Sequence, residues 1–351
     1  MTSSCPSATR CHFPFRFAPF LLAGLTVLAF AGVGRADAVY FINGNLNSNR
    51  IDRYDVATGN VTTVLSESGT VNYSDLTYDP TVGRLFWSAR LGATSGIRQM
   101  DVQGGGASWL STSTPFLSGI DARDGRVYFT WNDSNGTGST SDDSAYIGVI
   151  NADGSGLSST LHDVSSSTDA NNFDQVVDLI FHSGSGSFLY GFGNGGNRVE
   201  RRAVDGTRTD VVDPIISPRR FAADPINDEI FFTANDASRG ISKINPDGTG
   251  HQILLPSENL ALAFDVDAIG GRMYWIDGLG SGTSGNYGSL KSAQTDGTDV
   301  QTLIGNLGGS SFGQFDGLAF VSSVPEPSAV VGCLAGALGW GVRRRRRKSD
   351  D

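Results

Sequence analysis

The sequence predicts an all-β fold: a six-bladed β-propeller closed by a C-terminal strand that completes the first blade. Three observations carry the prediction. An aromatic strand recurs six times, an Asp-Gly turn recurs at one place in the repeat, and a strand missing from the start of the domain reappears at its end. The aromatic strands are Val39-Tyr40-Phe41, Leu85-Phe86-Trp87, Val127-Tyr128-Phe129, Phe188-Leu189-Tyr190, Ile230-Phe231-Phe232 and Met273-Tyr274-Trp275. Their spacing of roughly 40 to 60 residues is the period of propeller blades rather than of helical solenoids.

Each unit runs as an apolar strand, an Asp-led turn, the aromatic strand, a further strand and a Gly-containing turn. In the second blade these are Asp75 to Tyr78, the turn Asp79-Pro80 to Gly83, Arg84 to Trp87, and Ile97 to Met100. The turn position holds Asp79, Asp121, Asp224 and Asp267, with His182 in the fourth blade. Asp153-Gly154, Asp205-Gly206, Asp247-Gly248 and Asp296-Gly297 each follow an alternating run. They predict two-residue hairpin turns with both central residues at positive φ. The third blade carries a polar insertion from Asn132 to Ala145. Phe315 to Phe320 supplies the strand that the first blade lacks, which removes the open sheet edge.

The two ends read as delivery signals. Arg10 and Arg16 precede an apolar run from Phe17 to Val33, and Ala36-Asp37-Ala38 fits a small-x-small cleavage site. Residues 1–38 are therefore expected to be a signal peptide with its helix, and 39–323 the propeller. In 324–351, Pro325-Glu326-Pro327 precedes an apolar segment, 329–342, and a basic tail, 343–348, with Arg343, Arg344, Arg345, Arg346 and Arg347. The segment predicts a C-terminal transmembrane helix, although a full span takes about 20 helical residues. This order of triplet, apolar run and arginine cluster resembles the PEP-CTERM sorting signal of Gram-negative-type bacteria. The resemblance implies an exosortase-type protease as partner, transient membrane anchoring, and a final place at the cell surface, outer envelope or extracellular matrix.

Charge and cysteine content narrow the functions. The chain carries a net charge of −10, but residues 39–328 hold 17 of its 26 Lys and Arg and 33 of its 36 Asp and Glu, a net of −16. Such a surface disfavours nucleic acid and anionic headgroups. Cys5, Cys11 and Cys333 all lie in the end segments, so the domain has neither disulfide nor thiol nucleophile. His162, His182 and His251 fall in different blades without metal-ligand spacing.

Tyr274-Trp275-Ile276-Asp277 is similar to the YWTD repeat of low-density-lipoprotein-receptor propellers, with Ile230-Phe231-Phe232-Thr233 and Ile147 to Ser155 as partial matches. The resemblance implies six blades and a binding role, with no catalytic residues to carry over. Only Asp277 keeps the aspartate of that motif.

Alignment of the repeats places Asp75, Leu117, Asp178, Arg220, Ala263 and Gly317 at one mouth of the central tunnel. Asp75, Asp178 and Arg220 form the candidate ligand site. Two carboxylates could hold calcium, with Arg220 as counter-charge or anion clamp; the competing reading is an ion-pair cluster that seals the tunnel. A calcium-dependent lactonase or hydrolase would use this mouth with glutamate ligands, but none of Glu67, Glu200, Glu229, Glu258 and Glu326 opens an innermost strand. The expectation is a non-catalytic binding module without a required cofactor, calcium being the one candidate. Its expected partner is an envelope protein or exopolysaccharide.

Overall fold

A computed structural model describes residues 37–322 except 46–47, 69–70, 103–104, 115–116, 134–143, 166–174, 194–197, 213–217, 235–239, 259–260, 279–287 and 308–315. The expected signal peptide up to residue 36, the sorting signal and both terminal helices lie outside the described residues, as do Phe315 and most of the polar insertion.

The described residues form six four-stranded antiparallel sheets. Blade 1 contains β1 (Ala38–Asn45), β2 (Ser48–Asp55) and β3 (Val61–Ser68). Blade 2 is β4 (Val71–Asp79), β5 (Arg84–Leu91), β6 (Thr94–Asp101) and β7 (Ser108–Ser111). Blade 3 is β8 (Gly119–Arg123), β9 (Arg126–Asp133), β10 (Ser144–Asn151) and β11 (Ser158–Asp163). Blade 4 is β12 (Gln175–His182), β13 (Ser187–Gly193), β14 (Arg198–Ala203) and β15 (Arg208–Val212). Blade 5 is β16 (Pro218–Asp224), β17 (Glu229–Ala234), β18 (Ile241–Ile244) and β19 (Gln252–Leu255). Blade 6 is β20 (Ala261–Asp267), β21 (Arg272–Asp277), β22 (Ser289–Gln294) and β23 (Gln301–Ile304), and β24 (Leu318–Val321) returns to blade 1. The architecture is the six-bladed propeller that the repeat predicted.

The aromatic strands are the second strands of their blades and are covered on both faces. Successive side chains of a strand point to opposite sides, so each triplet serves two neighbours. Tyr40 and Ile42 pack with Leu85, Trp87 and Met100 of blade 2. Val39 and Phe41 pack with Tyr274, Ile276 and Leu290 of blade 6. A strand buried on both faces needs a continuous apolar run rather than alternation, which is why the triplets stand out in the sequence.

Closure follows the predicted register. β24 pairs antiparallel with β1 through Ala38↔Val321, Val39↔Phe320, Tyr40↔Ala319 and Phe41↔Leu318. The ladder extends by Ile42 N donating to Gly317 O at 2.9 Å.

Two turn readings need correction. The four Asp-Gly turns are not two-residue turns with both residues at positive φ. Only the glycines, at φ +87, +91, +90 and +85, take that conformation. Asn151 O accepts from Gly154 N at 2.8 Å, and Asn151 N donates to Ser155 O at 3.0 Å. This is a type I turn ending in a glycine bulge. The aspartate contributes its carboxylate instead: Asp153 Oδ1 accepts from Ser155 N at 2.9 Å, and Asp205, Asp247 and Asp296 repeat the bond.

The second correction concerns blade 3. Its inner hairpin turns through only Asp124 and Gly125, both at positive φ, where blade 2 uses four residues. Arg123 pairs with Arg126 as Asp79 pairs with Arg84. The turn position is thus Arg123, not Asp121, and the tunnel-mouth position is Gly119, not Leu117. Alignment on the aspartate shifted both by two residues, because a shorter turn leaves no gap in sequence.

Candidate functional site

Innermost strands of neighbouring blades share no ladder, so N–H groups on their facing edges need partners from elsewhere. A buried donor without an acceptor costs about 1–3 kcal/mol. The inner strands solve this with aspartate. Asp75 Oδ2 accepts from Ile120 N of blade 3 at 2.7 Å, and Asp178 Oδ2 from Phe221 N of blade 5 at 2.9 Å. Asp121 Oδ2 accepts from Phe181 N of blade 4 at 2.8 Å, and Asp265 Oδ2 from Phe320 N of β24 at 2.8 Å. Arg220 Nε donates to Leu262 O of blade 6 at 3.0 Å, and Asp75 N donates to Asp316 O at 3.2 Å. Every one of the six seams is therefore tied by one of these bonds.

Equivalent positions follow from the register: Asp75, Gly119, Asp178, Arg220, Ala263 and Gly317 open the inner strands on the loop side. Two residues further along come Thr77, Asp121, Ile180, Ala222, Asp265 and Ala319. Asp75 and Arg220 meet across the ring, with Arg220 Nη1 3.8 Å from Asp75 Oδ1. Asp75 takes φ +48, which bends β4 at the bulge between Ser74 and Leu76 and lets both carboxylate oxygens reach backbone donors. Its second oxygen accepts from its own neighbour, Leu76 N, at 3.0 Å; Asp178 does the same with Leu179 N at 2.8 Å and Asp265 with Val266 N at 2.8 Å.

Burial raises the pKa of Asp75, and burial together with the Asp75 charge raises that of Asp178 well above the usual carboxylate range. Burial also raises Asp316, with Arg220 and Arg219 opposing. Desolvation works against the Arg220 cation, but Asp75, Asp178 and Asp316 outweigh it and hold its pKa above the ordinary value.

The three predicted residues thus converge, and their carboxylates tie the blade seams. All four oxygens of Asp75 and Asp178 accept backbone N–H groups, and a guanidinium stands beside them. Calcium takes six or more oxygen ligands, and each of the four oxygens here already accepts a backbone N–H. Among the described residues, no group of three or more His, Cys, Asp or Glu is placed to hold a metal ion. The described glutamates are paired as well. Glu67 receives Arg98 Nη1 at 2.7 Å and Glu229 receives Lys243 Nζ at 2.6 Å. Glu200 receives Arg198 Nε at 2.5 Å, and Glu258 receives Lys291 Nζ at 3.0 Å.

His182 gathers the elements of a nucleophilic triad without its logic. Nδ1 lies 3.0 Å from Ser185 Oγ, and Nε2 lies 3.1 Å from Asp228 Oδ1 of blade 5. Nδ1 also accepts the Ser185 backbone N–H at 3.2 Å, as Asp79 Oδ1 accepts from Thr81 N at 2.8 Å. The imidazole therefore caps its own turn and reaches the next, as Asp79 does through Gly125 N at 2.7 Å. Burial lowers its pKa, with Asp228 opposing.

Sequence reading missed the opposite end of the axis. On the turn side, where inner strands hand over to aromatic strands, a cavity of about 400 Å³ is lined from all six blades, with Ser322 among its lining residues. Its polar wall holds Arg123, Asp124, Asp265 and Asp267. Arg123 Nε lies 3.2 Å from Asp121 Oδ2. Burial opposes this cation, but Asp121 and Asp265 outweigh it and raise its pKa. Burial pushes Asp265 up to about 6 and raises Asp267. The available signal was a charged residue inside an apolar inner strand, Ile120-Asp121-Ala122 and Phe264-Asp265-Val266.

No family model and no curated protein matches this chain. Among solved structures, it is similar to a chain of the nidogen/laminin complex, with 13% identity, a TM-score of 0.58, and coverage of 82% of this chain and 99% of that one. It is also similar to TolB from Acinetobacter baumannii, with 14% identity, a TM-score of 0.60, and coverage of 82% of this chain and 67% of that one. At such identities the likeness establishes the six-bladed propeller fold and leaves function to the chain's own residues.

Proposed function

We propose that the chain is an exported, non-catalytic interaction module, delivered by its N-terminal signal and sorted through Pro325-Glu326-Pro327, the apolar segment and Arg343 to Arg347. An exosortase-type protease processes that tail, and the propeller then works at the cell surface, outer envelope or matrix by binding a protein. The observation that carries the reading is the commitment of the tunnel carboxylates. Asp75, Asp178, Asp121 and Asp265 are occupied as acceptors at the blade seams, so none is a free general base or metal ligand. A ring whose ionisable groups hold it shut offers faces rather than a reaction centre. The similar chain from a nidogen/laminin complex supports a protein over an exopolysaccharide as the partner.

Two measurements test this. Full-length protein should show no calcium-dependent rise in melting temperature and no turnover of simple lactones or esters. A large calcium stabilisation that is lost in Asp178→Ala, or lactone turnover, would establish a calcium-dependent hydrolase instead. In cells, replacing Pro325, Glu326 and Pro327 together with alanine should hold the protein in the membrane fraction. Unchanged release to the surface would remove the sorting role.

A further inference from the structure

The turn-side mouth has a floor and a lip of different chemistry. On the floor, the Asp121 charge is matched by Arg123 at 3.2 Å, which leaves Asp265 and Asp267 as net negative charge, and exposed Asp124 adds a carboxylate from the inner turn of blade 3. On the lip, apolar Pro80, Pro225, Ile226 and Ile269 stand on the inner hairpin turns of blades 2, 5 and 6, with polar Thr81, Asp124 and Ser183 on the turns of blades 2, 3 and 4. Ile226 is 63% exposed and Ile269 is 72% exposed. Large aliphatic side chains this open, rimming one cavity, mark a surface that another molecule covers.

We propose that this mouth takes up an extended peptide segment of another protein, one that places a lysine or arginine over the acidic floor and apolar side chains against Ile226 and Ile269. This deepens the interaction-module reading and rests on it. A small ligand confined to about 400 Å³ would satisfy the floor and leave the lip in water. A bilayer would cover the lip and leave the recessed carboxylates facing hydrocarbon, and anionic headgroups would be repelled. Two copies meeting mouth to mouth would oppose like charges. A basic, apolar-flanked peptide satisfies both zones at once, by charge complementarity below and apolar burial above.

The test uses the full-length protein and a fluorescent peptide of alternating leucine and lysine, with a leucine–glutamate peptide as its counterpart. The lysine peptide should bind, more weakly as salt rises, and the glutamate peptide should not. Ile226→Ser combined with Ile269→Ser should weaken binding about tenfold, the equivalent of roughly 1.4 kcal/mol. Asp124→Asn should weaken it and flatten the salt dependence. Ile253→Ser, at an exposed aliphatic of the outer strand β19, should leave it unchanged. Equal binding of both peptides, or none, overturns the proposal, as does indifference to the Ile226/Ile269 change. A photo-crosslinker in place of Ile269 in the native envelope supplies a second readout. A cross-linked peptide containing basic and apolar residues supports the site. Links to lipid, to residues 323–351 or to a second copy overturn it. Partner capture that is undiminished by the Ile226/Ile269 change would discard this location and keep the module reading, whereas absence of any partner discards both.

Discussion

Asp265 ties blade 6 to the closing strand, and its carboxyl is held at a pKa of about 6 against 3.8 for an ordinary aspartate. Raised above its unfolded value, the group contributes stability that is fully present below about pH 4 and is lost as pH rises through 6. A shift of about 2 units corresponds to roughly 3 kcal/mol at full effect. Because the carboxylate borders the cavity as well as the packed ring, screening reduces this to about 1–2 kcal/mol between pH 4.5 and 7.5. Asp265→Asn cannot titrate and keeps one acceptor oxygen for Phe320 N or Val266 N, so it should be less stable than the wild type at pH 4.5. At pH 7.5 the wild type bears the cost of a buried charge and the amide does not, so the gap should narrow by about 1–2 kcal/mol. Asp75, Asp178, Asp267 and Asp316 shift in the same direction, while His162 and His182, both lowered, work against them as pH falls below 6.5. These contributions cancel in the difference between the two proteins. Urea unfolding followed by the fluorescence of buried Trp87 and Trp275 gives the gap at each pH. A gap that is constant, or that widens toward pH 7.5, would refute the assignment of Asp265 as a buried, proton-linked tie.

Deleting Leu318 to Val321 should unfold the ring as a unit, because β1 loses its inner partner and Asp265 its acceptor role; an unchanged melting temperature would refute closure by β24. Gly119→Ala should cost about 2–3 kcal/mol, read by thermal melting, since the new Cβ would stand 2.5 Å from Asp178 Oδ1 and 2.6 Å from its Cα. Cleavage before Pro325 should leave the melting temperature within about 1 °C of the uncut chain, the last strand ending at Val321; a larger drop would mean that the tail contributes to the fold. Arg220→Met should destabilise the protein by about 3–5 kcal/mol at neutral pH, since Asp75 and Asp178 lose the cation that offsets their burial and blade 5 loses its bond to Leu262 O, and part of the loss should be recovered at pH 4.

The architecture was legible because its causes are local and repeated. Each aromatic strand is squeezed between two blades, so Leu85-Phe86-Trp87 and its counterparts must be apolar throughout, and six copies announce six blades. The split first blade was equally plain, since an inner strand left over at Gly317 to Phe320 has only one vacant edge to fill. Turn chemistry was read less well. Asp-Gly is compatible with two hairpin geometries, and the choice between them depends on whether Asp153 bends its own backbone or only lends its carboxylate to Ser155. In blade 3 a turn of two residues, Asp124-Gly125, displaced the alignment and hid the equivalence of Gly119 with Asp75. Asp75, Asp178 and Arg220 stand at one height because register fixes it, and Arg220 Nη1 lies 3.8 Å from Asp75 Oδ1. Which groups their oxygens contact depends on backbone N–H positions in the next blade, and no residue pattern records those.

The seam bonds bear on where recognition can reside. An inner strand needs an acceptor for its neighbour's N–H, and aspartate at Asp75, Asp121, Asp178 and Asp265 meets that need; these identities follow from the fold. The inner hairpin turns carry a second set of demands. The first position must cap the turn, as Asp79, Asp224 and Asp267 do through Thr81, Ile226 and Ile269 N–H groups. The last must accept positive φ, as Gly83, Asp228 and Gly271 do. Nothing in that geometry asks for an isoleucine between them, because the capping bond at Ile226 and Ile269 uses only the backbone. Polar side chains would serve the turn equally and would cost nothing in solubility, as Asn227 shows beside Ile226. Isolated exposed aliphatics need no explanation, but two on neighbouring blades flanking the same acidic cavity do. Residues that the fold leaves free, and that are nonetheless apolar, are where the proposed partner would leave its requirement in the sequence.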